Sequence, residues 1–166
     1  MIALLLGGAR SGKSAAAERL ALALPAPVTY VATGTASDPD MAERIARHRA
    51  RRPASWSTEE VGAALVEALG RVPGTVLVDS LGSWVAACDL VPDAGALQAA
   101  LRRRAGDTVL VGEEVGLGVH PPTALGVRFR DAVGEVNVAV AEVADDVRLV
   151  VAGRGLRLDR LDRPDP

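Results

Sequence analysis

The chain has 166 residues, about one domain's length, and 49% hydrophobic content with few aromatics, which gives one compact α/β core of Ala, Val and Leu. A formal net charge of -2 excludes a global field that would draw in nucleic acid or a membrane surface, so any basic site has to be local. A single cysteine, Cys88, excludes an internal disulfide; with no leader-like segment, no membrane-length apolar run and no Cys/His metal spacing, the sequence fits a cytoplasmic enzyme.

The apolar run Ile2 to Leu6 reads as a strand, and Gly7-Gly8-Ala9-Arg10-Ser11-Gly12-Lys13-Ser14 follows it directly. A helix is expected to begin at Lys13 and to end near Leu24, because Pro25 and Pro27 cannot continue it. Strand, glycine-rich turn and helix in this order form a phosphate cradle. The glycines let backbone N–H groups turn inward, the helix N-terminus adds partial positive charge, and Lys13 carries a full charge toward the β- and γ-phosphates. Ser14 is placed to hold Mg2+. A nucleoside triphosphate is the expected ligand.

Val28 to Thr33 reads as a short buried strand and residues 34–37 as a turn. Asp38 before Pro39 is an N-cap followed by proline at the first helical position, so a helix is expected over 39–51, stopped by Pro53. It carries Arg44, Arg47, His48, Arg49, Arg51 and Arg52, of which Arg44, His48, Arg51 and Arg52 fall on neighbouring parts of one face. Two readings of that face stand side by side. Asp40 with Arg44 and Glu43 with Arg47 make ordinary i,i+4 pairs on a solvated helix. Arg49, Arg51 and Arg52 have no such acid partners, and uncompensated arginines beside a triphosphate site suit phosphate recognition. One short basic patch on an acidic chain speaks against nucleic acid as the partner.

Ser57-Thr58-Glu59-Glu60 has the form of a capping box, so a helix is expected to follow it to about Leu69, with Val61, Leu65 and Leu69 inward and Glu60 in a structural role. Thr75 to Ser80 reads as an apolar strand. Its Asp79 is a carboxylate at the carboxyl end, where it would face the Mg2+ held by Ser14, or else cap the segment beginning at Leu81. Short and longer helices are expected over 82–87 and 94–105, the latter with Leu97 and Leu101 inward, and a strand over 107–111. The loop Gly112-Glu113-Glu114-Val115-Gly116-Leu117-Gly118 lies where doubly wound folds bind ligands, while His120 before two prolines reads as a loop histidine. Leu125, Phe129, Val133, Val136, Val140 and Val143 keep helical spacing over 124–144, interrupted by Asn137. Residues 147–153 read as the closing strand and 156–166 as a charged tail, leaving 1–155 as one domain. The fold class is single-domain α/β, a P-loop NTPase-like, mainly parallel sheet flanked by helices.

Several of these segments, together covering nearly the whole chain, resemble the bifunctional adenosylcobinamide kinase/adenosylcobinamide-phosphate guanylyltransferases of cobalamin biosynthesis. The resemblance is carried by Gly7 to Ser14, Tyr30-Val31-Ala32-Thr33, the stretch from Met41 to Pro53, Trp56, Val76 to Leu81, Glu114 to Gly118 and Phe129-Arg130-Asp131. Its most specific part is the His-Arg-x-x-Arg-Pro element, His48 to Pro53. The resemblance implies phosphorylation of adenosylcobinamide by ATP or GTP, then transfer of GMP from GTP onto that phosphate, giving adenosylcobinamide-GDP. It implies a guanylyl-histidine at His48, a catalytic role for Lys13, and nucleotide contacts at Gly7, Gly8, Ala9, Arg10, Ser11, Gly12, Lys13 and Ser14. Further contacts are implied at Ala32, Thr33, Gly34, Arg49, Ala50, Arg51, Arg52, Glu60 and Asp79, with Mg2+ at Ser14 and Asp79, in a homotrimer. Three positions depart from the family's usual pattern: Glu113 stands where Asn is usual, Val138 where Gln is frequent, and Ala86-Ala87-Cys88 where an Asn is common.

The chemistry of the residues agrees with a histidine nucleophile. An imidazole attacks the α-phosphorus of GTP only when neutral, and most of an ordinary one is neutral at pH 7. Neighbouring arginines favour that neutral form and stabilise charge developing on the phosphoryl oxygens and pyrophosphate. A simpler P-loop small-molecule kinase, and a nucleotide-dependent binding or switch protein, are the alternatives that the motifs leave open.

Overall fold

A computed structural model describes residues 1–34, 49–50 and 52–161. Strands and helices alternate along them as β1 (Ile2–Gly7), α1 (Lys13–Leu22), β2 (Val28–Ala32), β3 (Ser57–Glu60), α2 (Leu65–Arg71) and β4 (Thr75–Asp79). Then come α3 (Leu81–Ala87), α4 (Ala94–Arg103), β5 (Thr108–Glu113), α5 (Ala124–Ala141), β6 (Asp146–Val151) and β7 (Arg154–Arg157). The helix expected over 39–51 lies outside the described residues except at Arg49 and Ala50, which are helical.

All strands join one sheet in the order β3-β2-β4-β5-β1-β6-β7. Every pair is parallel except β6 with β7. Parallel pairing needs helical crossovers that cover both faces, which is why β1, β4 and β5 read as unbroken apolar runs rather than alternating ones. Alternate side chains feed two cores. Leu4, Leu6, Val76, Val78 and Leu110 pack with α2, α3, α4 and α5, whereas Ala3, Leu5, Leu77, Val109 and Val111 pack with Ala17 and Ala21 of α1. Trp84 of α3 is the largest fully buried side chain, and its indole N–H donates to the Ala63 carbonyl at 3.0 Å, satisfying its one polar atom. No helix among the described residues is long and apolar enough to cross a membrane.

The helix ends follow local chemistry. Asp93 Oδ1 accepts from the Ala96 amide at 2.8 Å to cap α4, Thr123 Oγ1 accepts from Gly126 at 3.1 Å to cap α5, and Arg102 and Arg103 occupy the last turn of α4. Beyond α4, the Arg104 guanidinium donates to the carbonyls of Leu69, Val72 and Gly74 at 2.9, 2.5 and 2.6 Å, gathering the orphan acceptors at the end of α2.

Two segments differ from expectation. Ser57–Glu60 is a strand rather than a capping box: β3 pairs in parallel with β2, and α2 begins only at Leu65. Backbone pairing with a strand remote in sequence outcompetes the local cap, and the all-polar sequence is tolerated because β3 forms an edge. Leu65 and Leu69 are nonetheless buried as the periodicity predicts. At the other edge, β7 pairs antiparallel with β6, so the strand runs across the boundary expected at residue 156.

Candidate active site

The site is built on the carboxyl edge of the sheet. Glu60 of β3 and Asp79 of β4 both pair in register with Ala32 of β2; Val111 of β5 pairs with Asp79, and Glu113 with Gly7 of β1. The sheet therefore brings residues from five separate stretches of sequence to one rim, where the phosphate loop also begins.

In that loop Arg10 and Gly12 have positive φ (56° and 93°), and Gly12 is the N-cap of α1. Gly7 is required by contact: a Cβ there would lie 2.5 Å from the Val150 carbonyl oxygen and 2.6 Å from Ser11 Oγ. Gly12 is backed by the β6–β7 turn, where Gly153 donates its amide to the Ser11 carbonyl at 2.8 Å and its Cα would stand 3.2 Å from a Cβ on Gly12. Lys13 is buried at 5% exposure, and its Nζ donates to the Gly8 carbonyl at 3.3 Å, so the ammonium arches over the loop. Ser11 Oγ is buried without a hydrogen-bond partner among the described residues. An unpaired hydroxyl, a buried ammonium and a helix N-terminus together suit a phosphate anion.

Asp79 faces the loop. Its Oδ1 accepts from Ser14 Oγ at 3.4 Å and its Oδ2 from the Tyr30 hydroxyl at 3.2 Å. The N-cap role left open for Asp79 belongs instead to Ser80, whose Oγ accepts from the Ser83 amide at 3.4 Å. The Asp79–Ser80 peptide is cis, and Thr33 ties this corner to β2: its hydroxyl donates to the Ser80 carbonyl at 2.6 Å and accepts from the Ser80 amide at 3.1 Å. Gly34 lies close to Ser83, within 3.2 Å of Ser83 Oγ for a Cβ added there.

Arg52 is the arginine of the cationic element that the described residues place against this corner. Its guanidinium carbon stands 3.7 Å from the centre of the Tyr30 ring, and Nη1 donates to Thr58 Oγ1 at 3.2 Å. Burial, and then the Asp79 carboxylate, push the Tyr30 phenol pKa far above its ordinary value, while Arg52 pulls it down by less. Arg49, Arg52, Pro53, Ala54, Trp56 and Thr58 line an open cleft of about 310 Å³. Arg49 and Ala50 are exposed, and Glu60 is exposed at the end of β3. His48 and Arg51 lie outside the described residues.

Sequence reasoning gave Tyr30 no role, although it was the chain's one tyrosine. Asn137, which interrupts the apolar spacing of α5, has a role that the spacing alone does not reveal. Asn137 is buried in α5 and donates to the Glu113 carbonyl at 3.0 Å, fixing the end of β5. A polar residue inside an apolar helical stripe was the available signal. His120 is an exposed loop residue with Nδ1 3.1 Å from Arg130 Nη1, as its setting predicts.

Against known proteins, residues 3–158 match the family model described as cobinamide kinase / cobinamide phosphate guanyltransferase. The chain is 43% identical over 160 residues to the bifunctional adenosylcobalamin biosynthesis protein CobP of Pseudomonas aeruginosa, covering 90% of this chain and 92% of that protein. It is 38% identical over 182 residues to the bifunctional adenosylcobalamin biosynthesis protein CobU of Salmonella typhimurium, covering 95% of this chain and 99% of that one. A solved structure described as a prototypical ATPase from the type III secretion system of pathogenic bacteria superposes with a TM-score of 0.55 at 11% identity, over 89% of this chain and 50% of that chain, a likeness of fold alone. With a phosphate loop, a facing carboxylate and an arginine-lined corner on one sheet edge, and with these matches spanning almost all of its length, the chain belongs to the cobinamide kinase / cobinamide phosphate guanyltransferase family.

Proposed function

We propose that the chain carries out both reactions of its family: phosphorylation of the aminopropanol hydroxyl of adenosylcobinamide by ATP or GTP, then transfer of GMP from GTP onto that phosphate to give adenosylcobinamide-GDP. The observation that carries this reading is the single rim on which the phosphate loop, Asp79 and Arg52 meet, linked through Tyr30. In the kinase half, the loop amides and Lys13 hold the β- and γ-phosphates and offset the charge shifting onto the leaving diphosphate. Ser14 and Asp79 are the residues that would hold Mg2+. Their two oxygen donors suit a hard cation that takes few protein ligands, keeps water and binds phosphate oxygens. When bound, that ion supplies charge neutralisation at the phosphates.

In the transferase half, neutral His48 attacks the α-phosphorus of GTP: a nitrogen–phosphorus bond forms, the bond from the α-phosphorus to the bridging oxygen breaks, and pyrophosphate leaves. An oxygen of adenosylcobinamide phosphate then displaces the histidine. Arg49, Arg51 and Arg52 neutralise the phosphoryl oxygens through both steps, and the cation–π seat of Arg52 on Tyr30 supports that placement. Ala32, Thr33, Gly34, Ala50 and Glu60 complete the nucleotide contacts. The family resemblance further supports a homotrimer working in the cytoplasm.

The test is covalent labelling with Mg2+ and α-labelled GTP, followed by denaturation. Label that survives alkali, is lost in mild acid, maps to His48 and disappears in His48→Ala is the expected result. A folded, GTP-binding protein that takes no label, or a His48→Ala variant that transfers GMP normally, would refute the histidine route; the former would leave a simple kinase.

A further inference from the structure

β5 is the strand that lies between the one feeding the phosphate loop and the one ending in Asp79. Its last residue, Glu113, pairs with Gly7, and Val111 two residues earlier pairs with Asp79, so Glu113 projects past Asp79 on the rim where the loop opens. Three contacts fix it there. Asn137 holds the Glu113 carbonyl at 3.0 Å, the Glu114 amide donates to the Gly7 carbonyl at 3.0 Å, and the Gly82 amide donates to Glu113 Oε2 at 2.7 Å. The last contact exists because residue 82 has no side chain: a Cβ on Gly82 would stand 2.5 Å from Oε2 and 3.0 Å from Cδ. Oε1 has no hydrogen-bond partner among the described residues. The neighbouring acid is turned away, with Glu114 Oε1 accepting from the Gly116 amide at 2.8 Å.

Packing alone does not call for an acid at this position. A glutamine would satisfy the Gly82 amide through its side-chain oxygen equally well. What the carboxylate adds is a second acceptor, held rigidly beside the phosphate loop. We propose that in this chain Glu113, standing where the family usually has Asn, binds the hydroxyl that receives the γ-phosphoryl group, accepting its hydrogen bond at Oε1 while Oε2 stays on the Gly82 amide. This rests on the kinase reading above and adds the acceptor-side residue to it. The hydrogen bond aims an oxygen lone pair of the acceptor at the γ-phosphorus. As that oxygen–phosphorus bond forms, the bond from the γ-phosphorus to the β,γ-bridging oxygen breaks and the nucleoside diphosphate leaves. The hydroxyl proton passes to Oε1 and on to water at product release. Gly82 is then a positioning residue, the small side of a niche whose other half is the acid.

The experiment perturbs the niche from both sides. Glu113→Gln keeps the bond to Gly82 and turns the free acceptor into an NH2 donor. Gly82→Ala leaves the acid intact but displaces it, while alanine favours the α3 helix over glycine. Phosphorylation of adenosylcobinamide by ATP and Mg2+, guanylyl labelling from α-labelled GTP, and melting temperature are measured on the same preparations of wild type and both variants. Both variants should lose on the order of 10²-fold or more in kcat for phosphorylation. The KM for ATP should stay within about twofold, guanylyl labelling should stay at the wild-type level, and neither melting temperature should fall. Undiminished phosphorylation by Glu113→Gln would overturn the proposal, as would loss of ATP affinity or of guanylyl labelling in step with phosphorylation, since the niche would then merely brace the nucleotide site. Wild-type protein that takes guanylyl label yet never phosphorylates adenosylcobinamide would instead remove the kinase reading on which the proposal stands.

Discussion

Replacing Tyr30 by Phe should change how stability depends on alkaline pH. The phenol is 6% exposed, donates to Asp79 Oδ2 at 3.2 Å and lies under Arg52, and its pKa is pushed far above the ordinary value of 10.0 by burial first and by the Asp79 carboxylate second. Well below pH 10 both folded and unfolded chains keep the proton, so its contribution to stability is fully present. Above pH 10 the unfolded chain releases the proton while the folded chain retains it, and stability falls as pH rises toward the folded pKa. The loss approaches about 1.4 kcal/mol per pH unit, so wild type should be weaker by about 1.4 kcal/mol at pH 11 than at pH 9 from this group. Tyr30→Phe lacks that slope but gives up a hydrogen bond to a charged acceptor, about 1.5–3 kcal/mol at neutral pH. The two stability curves should therefore converge above pH 10. Burial also raises the Cys88 thiol pKa, with the same sign, but it is present in both proteins and cancels in the difference. Urea unfolding followed by tryptophan fluorescence at a series of pH values measures the gap. Phenolate absorbance reads Tyr30 alone, the one tyrosine of the chain. A gap constant from pH 7 to 11, or a native phenol titrating near 10, would refute the reasoning.

Trp84→Ala should cost about 3–5 kcal/mol, because a side chain 1% exposed leaves both a cavity and an orphaned Ala63 carbonyl. A shift in the urea midpoint worth less than about 1 kcal/mol would show that α3 repacks freely. Gly7→Ala places a Cβ 2.5 Å from the Val150 carbonyl oxygen, an overpacking of about 1–3 kcal/mol that only movement of the phosphate loop relieves. Calorimetric titration with ATP should show affinity reduced by about tenfold or more, and unchanged affinity would mean that the loop does not depend on this junction.

Much of this site could be read from sequence because its strongest signals are local. A strand, glycine turn and lysine-led helix are contiguous, and the acid of Asp79 ends a visibly apolar run. The errors came where partners are remote. Ser57–Glu60 satisfies a four-residue capping pattern, but the contest was decided by β2, whose Thr29 hydroxyl lies 2.8 Å from that of Ser57 across the strand pair. β7 carries little apolar periodicity because all four of its residues are exposed, and only β6 makes it a strand. The link from Arg52 through Tyr30 to Asp79 and the fit of Glu113 beside Gly82 depend on which strand ends become neighbours. That is set by the strand order, which hydrophobic patterning leaves open.

The backing of the phosphate loop by the β6–β7 turn has a consequence for how the protein is made. Translation delivers the loop well over a hundred residues (about 140) ahead of Gly153, which braces it. β1 likewise has to wait for β5 and β6 before either of its edges is paired. A nascent chain therefore displays its phosphate motif long before the turn that braces it is made, and a nucleoside triphosphate meeting the motif early would find that brace missing. Once the turn closes, the same ligand stabilises only the finished molecule. A nucleotide bound at this loop would thus favour chains in which the β6–β7 turn has already closed, rather than template their folding.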